Sequence, residues 1–498
     1  MLNTFLSIKI KNRINLINQV IENPIYYQNT ILKNHLKIAS KTLFGEQHLF
    51  NEIENYDSFI DKVPIRNYNE LQPYINLIRK GVNNVIWPQK TKWFAKSSGT
   101  TLSRSKFIPI TKDSLKNCHF KAGRDMLSIY LNNNPQSSIL NGKSLMIGGS
   151  TSIDKLKTYY TGDLSSIIIR NLPIWVQLKR LPSIKTSLLK NWSKKIEHII
   201  CESKNKNITS ISGVPSWTII IMNQLMKEMK INCLSEVWPN LELYMHGGIS
   251  FDSYRTSFKK LTRTKNINYL ELYNASEGFF GIQDNPNKSD LLLLINHGIF
   301  YEFIPVENGI QLKEKIVPLH KVKTNQIYAM IITTNSGLWR YEIGDTIIFT
   351  STNPYKIKLI GRTQSFINAF GEELNEDNAN KAIEYSCNKT NSIVKEYIAA
   401  PIFYQDKSGA HDWYIEFEKP PKNIKEFQFN LDKKLKAINS DYEAKRKKNI
   451  LLKEPIINSM RKDFFYNLLK EQKKLGGQNK IQRLHNNRKF LKQINKKL

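Results

Sequence analysis

Between about Gly142 and Phe349, short apolar runs alternate with longer stretches of helical spacing, and this alternation limits the possible folds more than any other feature of the chain. Ser144-Leu145-Met146-Ile147, Ile167-Ile168-Ile169, Leu241 to Met245 and Tyr269 to Leu272 have the length of strands. Pro215 to Lys230 has the spacing of a helix. A chain that alternates in this way covers its strands with helices, so the expected class is α/β, with mixed sheets and helices on their faces. Its 498 residues exceed what one hydrophobic core usually supports, so two or more domains are expected. The region before about residue 90 reads as helices, from the apolar spacing in Ile8 to Ile21 and Thr30 to Leu43. Arg340 to Thr350 and Lys356 to Ile360 read as a further pair of strands. A polar, loop-like passage, Thr363 to Asn375, precedes a restart: a helix, strands at Glu396 to Ala399 and Asp412 to Phe417, then helices at Ile424 to Ile438 and Asp463 to Lys474. That restart sets the expected boundary between residues 1–362 and residues 363–498.

The formal charge of +31 would ordinarily suggest a nucleic-acid partner. Its distribution argues otherwise, since residues 422–498 carry +15 of it and lysine, asparagine and isoleucine are abundant throughout, as in a compositionally biased genome. No helix-turn-helix cue, Arg/aromatic strip or RNA-binding signature accompanies the charge. No apolar run is long enough to span a bilayer, and Met1 to Asn18 lacks a signal-peptide core, so a soluble cytoplasmic protein without a membrane partner is expected. Cys118, Cys201, Cys233 and Cys387 are scattered and argue against structural zinc and disulfides.

Five stretches could carry chemistry. Lys96-Ser97-Ser98-Gly99-Thr100-Thr101-Leu102-Ser103-Arg104-Ser105-Lys106 offers hydroxyls, a glycine backbone and an ammonium that suit phosphate, although it is not a Walker loop. A Ser/Thr-rich surface turn would look the same. Tyr273-Asn274-Ala275-Ser276-Glu277-Gly278 follows a strand, where α/β sheets place ligands; Glu277 could hold magnesium and Tyr273 a purine face, or the stretch is a tight turn. In Arg340-Tyr341-Glu342-Ile343-Gly344-Asp345 the last carboxylate could accept two ribose hydroxyls and Arg340 could fork onto an anion; alternatively this is a surface hairpin with an ion pair within the strand. Met245-His246-Gly247-Gly248 ends a strand with glycines that permit close approach of a ligand, while His246 reads first as a structural histidine. Late in the chain, Lys480 follows Gly476-Gly477 in what is otherwise a basic tail.

Taken in order, Ser-Ser-Gly-Thr-Thr near 100, Tyr-x-x-Ser-Glu near 275, Tyr-x-x-Gly-Asp near 343, Gly-Arg-Thr at 361 and the late glycine-flanked lysine resemble the adenylate-forming superfamily. More closely they resemble its acyl acid-amido synthetase branch, the auxin-responsive promoter or Gretchen Hagen family, over nearly the whole chain. Three positions depart from that pattern: Ser103 replaces a common glycine, Glu342 a common arginine, and Gln482 a common proline. Ser103 and Gln482 could soften a turn, but neither removes a charge the chemistry requires, and Arg340 sits just before the tyrosine that Glu342 follows.

The resemblance implies a large α/β domain with ATP and acyl sites and a small mobile α+β cap, hinged at Thr363 to Phe370. It implies ATP and Mg²⁺ as cofactors and a two-step reaction. A carboxylic acid is adenylated to acyl-AMP, and the acyl group then passes to an amino acid amine. Ser97, Ser98, Gly99, Thr100, Thr101 and Lys106 would cradle phosphates, Glu277 would hold the metal, and Lys480, Thr100 and Lys106 would serve the first transition state. Tyr273 would stack on adenine, Asp345 and Arg362 would fix the ribose, and Ser276 and Tyr341 complete the nucleotide set. Val214, Trp217, His246, Gly247 and Gly248 are the candidates for the acyl pocket. The expected partners are a small carboxylic acid and an amino acid, with the chain a monomer. Thioester formation to coenzyme A shares the first half-reaction and is the alternative, with a non-enzymatic basic binding module the third class.

Overall fold

The computed structural model describes residues 10–98, 105–148, 153–189, 191–247, 251–263, 267–307, 310–362, 366–406, 408–471 and 483–488. Two compact units emerge, Met1–Ser97 with Phe107–Thr363, and Ser98–Lys106 with Gln364–Leu498.

The first unit is organised on a 13-stranded sheet in two halves. In one half the strands Lys143–Met146, Ile208–Ser212, Leu243–Gly247 and Asn268–Ala275 run parallel. Such neighbours need long crossovers, supplied here by the helices Pro215–Met229 and Asp252–Thr262. Ile208–Ser212 and Leu243–Gly247 are buried along nearly their whole length, as strands covered on both faces should be. Pro215 stands in the first turn of its helix, where its missing N–H costs nothing, and Lys230 ends that helix in a left-handed conformation (φ 53°). In the other half Asn268–Ala275, Gly278–Ile282, Leu291–Leu293, Tyr355–Arg362, Tyr341–Thr352, Ile327–Thr334 and Ile299–Glu307 form an antiparallel series. The N-terminal helices Pro24–Ala39, Tyr56–Lys62 and Tyr68–Arg79 pack on it. Trp339 is the hub of that packing, with Phe44, Phe50 and Trp87 rings within 6.2 Å and its indole N–H on the Ile86 carbonyl at 3.0 Å.

One expectation fails here: Ile167-Ile168-Ile169 is not a strand but part of the helix Leu164–Asn171, with Ile167 and Ile169 buried. A short apolar run carries no period of its own, and packing decides its state. Within Thr363 to Asn375, Phe366–Ile367 pairs with Leu374–Asn375, so part of that passage is a small ribbon rather than loop.

In the second unit Ile393–Phe403 and Gly409–Lys419 pair antiparallel, and Ile456–Met460 adds in parallel. The helices Glu376–Thr390 and Ile424–Ile438 accompany them. Among its buried polar groups, His411 meets Glu372 at 2.7 Å, and Arg446 and Tyr442 both meet Asp432. The mixed α/β architecture with a C-terminal α+β unit agrees with the class expected from the alternating pattern. Among the described residues no helix is long and apolar enough to cross a membrane.

Candidate functional site

At the carboxyl ends of the parallel strands the chain comes close to itself. The Gly213 N–H donates to the Met245 carbonyl at 3.2 Å, and the Tyr244 hydroxyl donates to the Gly213 carbonyl at 2.8 Å. Val214 is half-buried at the start of the following helix, and Trp217, one turn in, is buried. His246 is buried and stacks on Phe251 with ring centroids 4.2 Å apart. Burial, with the Arg255 charge second, pulls its pKa down to about 3, so it is a neutral ring near pH 7. Gly247 earns its place through packing, because a Cβ there would lie 2.3 Å from the Leu272 carbonyl oxygen of the next strand. The neighbour that requires a glycine there is backbone. Gly248 lies outside the described residues.

The next strand, Asn268–Ala275, turns into Gly278–Ile282 through Ser276 and Glu277 alone, with Ala275 opposite Gly278. Ser276 is half-buried, and Glu277 at the tip is buried at 8% exposure. Its charge reaches Tyr68, whose phenol pKa is raised first by burial and further by Glu277. That Tyr68 hydroxyl accepts the Phe107 N–H at 2.7 Å. The Arg79 guanidinium lies 3.8 Å from the centroid of the Phe107 ring. Tyr68 and Arg79 therefore fix the strand Ser105–Ile110, which with its neighbour Trp93–Ser98 forms the stems of the hydroxyl-rich loop. Ser97 and Ser98 are on the first stem, and Lys106, half-buried, is on the second. Gly99, Thr100 and Thr101 lie outside the described residues, as does Lys480.

Tyr273 and Asp345, 72 residues apart in sequence, meet in the interior, where the Tyr273 hydroxyl donates to Asp345 Oδ2 at 2.5 Å. Both are buried, and the Tyr273 ring rests 4.9 Å from that of Phe280. A β-bulge makes the meeting possible. Ile331 pairs with Glu342 and Ala329 with Thr346, so Ile343-Gly344-Asp345 stands opposite Met330 alone. Gly344 takes φ 90°, a conformation that favours glycine, and the extra residues re-aim the strand. The Arg362 backbone pairs with Asp345 across the next strand, and its side chain lies outside the described residues. Tyr341 is wholly buried.

Arg340 is not a ligand donor. Its guanidinium is buried and grips both Glu302 oxygens at 2.8–3.2 Å, and it also donates to the Ile60 and Val63 carbonyls. Glu342, where the family pattern has arginine, turns to Lys313 at 3.0 Å. Tyr68 and Arg79 stand in an ordinary amphipathic helix whose sequence carries no local sign of their role. The bulge was readable only as a glycine before Asp345.

The half-parallel, half-antiparallel large sheet, with motif-bearing turns along it, and the α+β unit make a fold shared with solved structures of known enzymes. The fold matches 2-hydroxyisobutyryl-CoA ligase with a TM-score of 0.57 at 11% identity, covering 96% of this chain and 92% of that one. The chain belongs to the GH3 family. Its residues 13–267 match the GH3 family N-terminal domain, 292–362 the central domain and 377–489 the C-terminal domain. Indole-3-acetic acid-amido synthetase GH3.15 of Arabidopsis thaliana is 23% identical over 440 residues, which cover 74% of this chain and 73% of the relative. Jasmonoyl-L-amino acid synthetase JAR4 of Nicotiana attenuata is 23% identical over 64% of this chain and 66% of its own. The structure of the AtGH3.15 acyl acid amido synthetase in complex with 2,4-DB superposes with a TM-score of 0.63 at 17% identity, covering 98% and 96% of the two chains.

Proposed function

We propose that the chain is an ATP-dependent acyl acid-amido synthetase, with residues 1–362 as the adenylation domain and residues 363–498 as a mobile cap. The observation that carries this reading is the buried Tyr273–Asp345 hydrogen bond, which joins two of the family's motifs beside the turn that bears Glu277. In this reading Asp345 accepts the ribose hydroxyls, and Tyr273, its hydroxyl tied to Asp345, presents a fixed ring to adenine. Arg362 assists at the ribose, with Ser276 and Tyr341 in the same nucleotide set. Ser97, Ser98, Gly99, Thr100, Thr101 and Lys106 hold the phosphates on stems braced by Tyr68 and Arg79.

The donor set suits a metal that arrives with its nucleotide. Glu277 is a single buried carboxylate, and among the described residues no group of three metal-binding side chains exists. Magnesium commonly takes one or two protein carboxylates and completes its shell with phosphate oxygens and water. When bound there it would neutralise phosphate charge. A carboxylate approaching a triphosphate is repelled, so the chain's own part is to hold the two in line with cations and oriented donors, Lys480 among them. Val214, Trp217, His246 and the glycines Gly247 and Gly248 would bound the acyl group, with the His246 ring uncharged near pH 7. The second step, attack of an amino acid amine on the acyl carbon with loss of AMP, needs water kept out.

Exchange of labelled pyrophosphate into ATP, run over a panel of aryl and alkyl carboxylic acids, tests the first half. Folded protein that supports no exchange with any acid would overturn the reading. Product analysis with coenzyme A and a mixture of amino acids then decides between amide and thioester.

A further inference from the structure

The helix Arg13–Glu22 buries no residue completely, yet Leu16, Ile17 and Val20 wall a cavity of about 130 Å³ that also borders the helix Phe120–Asn133 and residues 292–297. A cavity on the order of 150 Å³ accommodates a molecule the size of benzene. None of the residues assigned above to nucleotide, metal or acyl group lines it.

The polar end of the cavity is out of charge balance. Asp125 accepts from Arg13 Nε at 2.6 Å through one oxygen and faces His297 Nε2 at 3.0 Å through the other, so both oxygens are engaged. Burial lowers the His297 pKa despite that carboxylate, so the ring brings no charge near pH 7. Lys121 is half-buried; its ammonium donates to the Asn296 carbonyl and, among the described residues, forms no ion pair. Arg124 adds a further cation to the cluster, with its Nε unpartnered. Arg13 and Lys121 thus line an apolar space beside one carboxylate, with the Arg124 charge acting on the same group. An ammonium has three donors, and Lys121 spends one of them on Asn296.

We propose that this cavity binds a small apolar carboxylate, with its head group on Lys121 and its tail against Leu16, Ile17 and Val20. A hydrocarbon would fill the space and leave the charge unrelieved. An anion with an apolar body relieves both the half-buried cations and the exposed aliphatic wall. The site stands apart from the acyl pocket, so an occupant here would accompany the acyl substrate rather than replace it.

Crystals of the full chain titrated with 4-bromobenzoate test this, because anomalous scattering from bromine locates the ligand and its occupancy reads affinity site by site. The expected result is a bromine peak beside Val20, at least about tenfold tighter for 4-bromobenzoate than for bromobenzene. Lys121→Met should remove that preference, and Val20→Trp should abolish the peak by filling the space. No peak in the cavity at saturating ligand, or equal occupancy by bromobenzene, would overturn the proposal. So would affinity unchanged in Lys121→Met. A peak confined to the neighbourhood of Val214 and His246 would assign the binding to the acyl pocket and sink the second site without touching the proposed function.

Discussion

At the scale of single residues, the interior holds histidines that fold neutral. Burial pulls His35 and His119 to about 4 and His246 to about 3, from an ordinary value near 6.5. Above pH 6.5 neither the folded nor the unfolded chain protonates them, and their contribution to stability is complete. As pH falls from 6.5 toward 4 the unfolded chain takes up protons that the folded one refuses, so stability is lost with acid. His119 is the cleanest test, since neither of its ring nitrogens has a partner. In His119→Leu the loss between pH 6.5 and 4 should shrink by about 1.4 kcal/mol per pH unit, read from urea midpoints along a pH series. Equal slopes in both proteins would refute the burial argument. Arg340 offers a second test. Arg340→Met leaves Glu302, at 0% exposure, without its cationic partner and with only the Tyr56 hydroxyl as a side-chain donor among the described residues, which should cost about 3–5 kcal/mol. Pairing that change with Glu302→Leu should recover part of the loss in the same unfolding assay. Arg340 also shows what single residues hide in a sequence: a forked cation beside a motif looks the same whether it faces a ligand or a partner 38 residues away.

At the scale of elements, the decisive feature is the bulge around Gly344. Alternation reveals a strand but not two extra residues within it, so Asp345 could be named from the sequence while the turn of backbone that points it at Tyr273 could not. The same limit explains Ile167-Ile168-Ile169, whose β-branched residues fit a strand until the helix Leu164–Asn171 claims them. Two glycines separate conformation from space. Gly344 has φ 90°, so Gly344→Ala should lose more than about 1 kcal/mol and, on the proposed function, lower pyrophosphate exchange as Asp345 shifts. Gly123 lies inside the helix Phe120–Asn133, and a Cβ there would meet nothing within 4 Å. Gly123→Ala should gain roughly 0.5–1 kcal/mol with exchange unchanged. If Gly344→Ala were as benign as Gly123→Ala, the bulge would have no part in placing Asp345.

At the scale of the whole molecule, what the sequence disclosed was an order of motifs rather than a shape. Each stretch alone suited a turn as well as a site, and their succession over nearly the full length is what the three family domains also follow. The acyl specificity stayed illegible because its candidate residues, Val214, Trp217 and His246, are ordinary apolar and aromatic core types whose neighbours only folding brings together. A reaction in two halves makes a further demand on the chain, because groups needed in one half can be dispensable in the other. On the proposed function Lys480 stabilises charge as the phosphorus is attacked and has no such duty once acyl-AMP exists. Lys480→Ala should therefore lose at least about 100-fold in pyrophosphate exchange, in line with removal of one preorganised electrostatic group. The same protein, given synthetic acyl-AMP and an amino acid, should form amide within a few-fold of the unaltered rate. Equal losses in both assays would mean that Lys480 supports folding or binding in general, and full exchange activity would remove it from the mechanism.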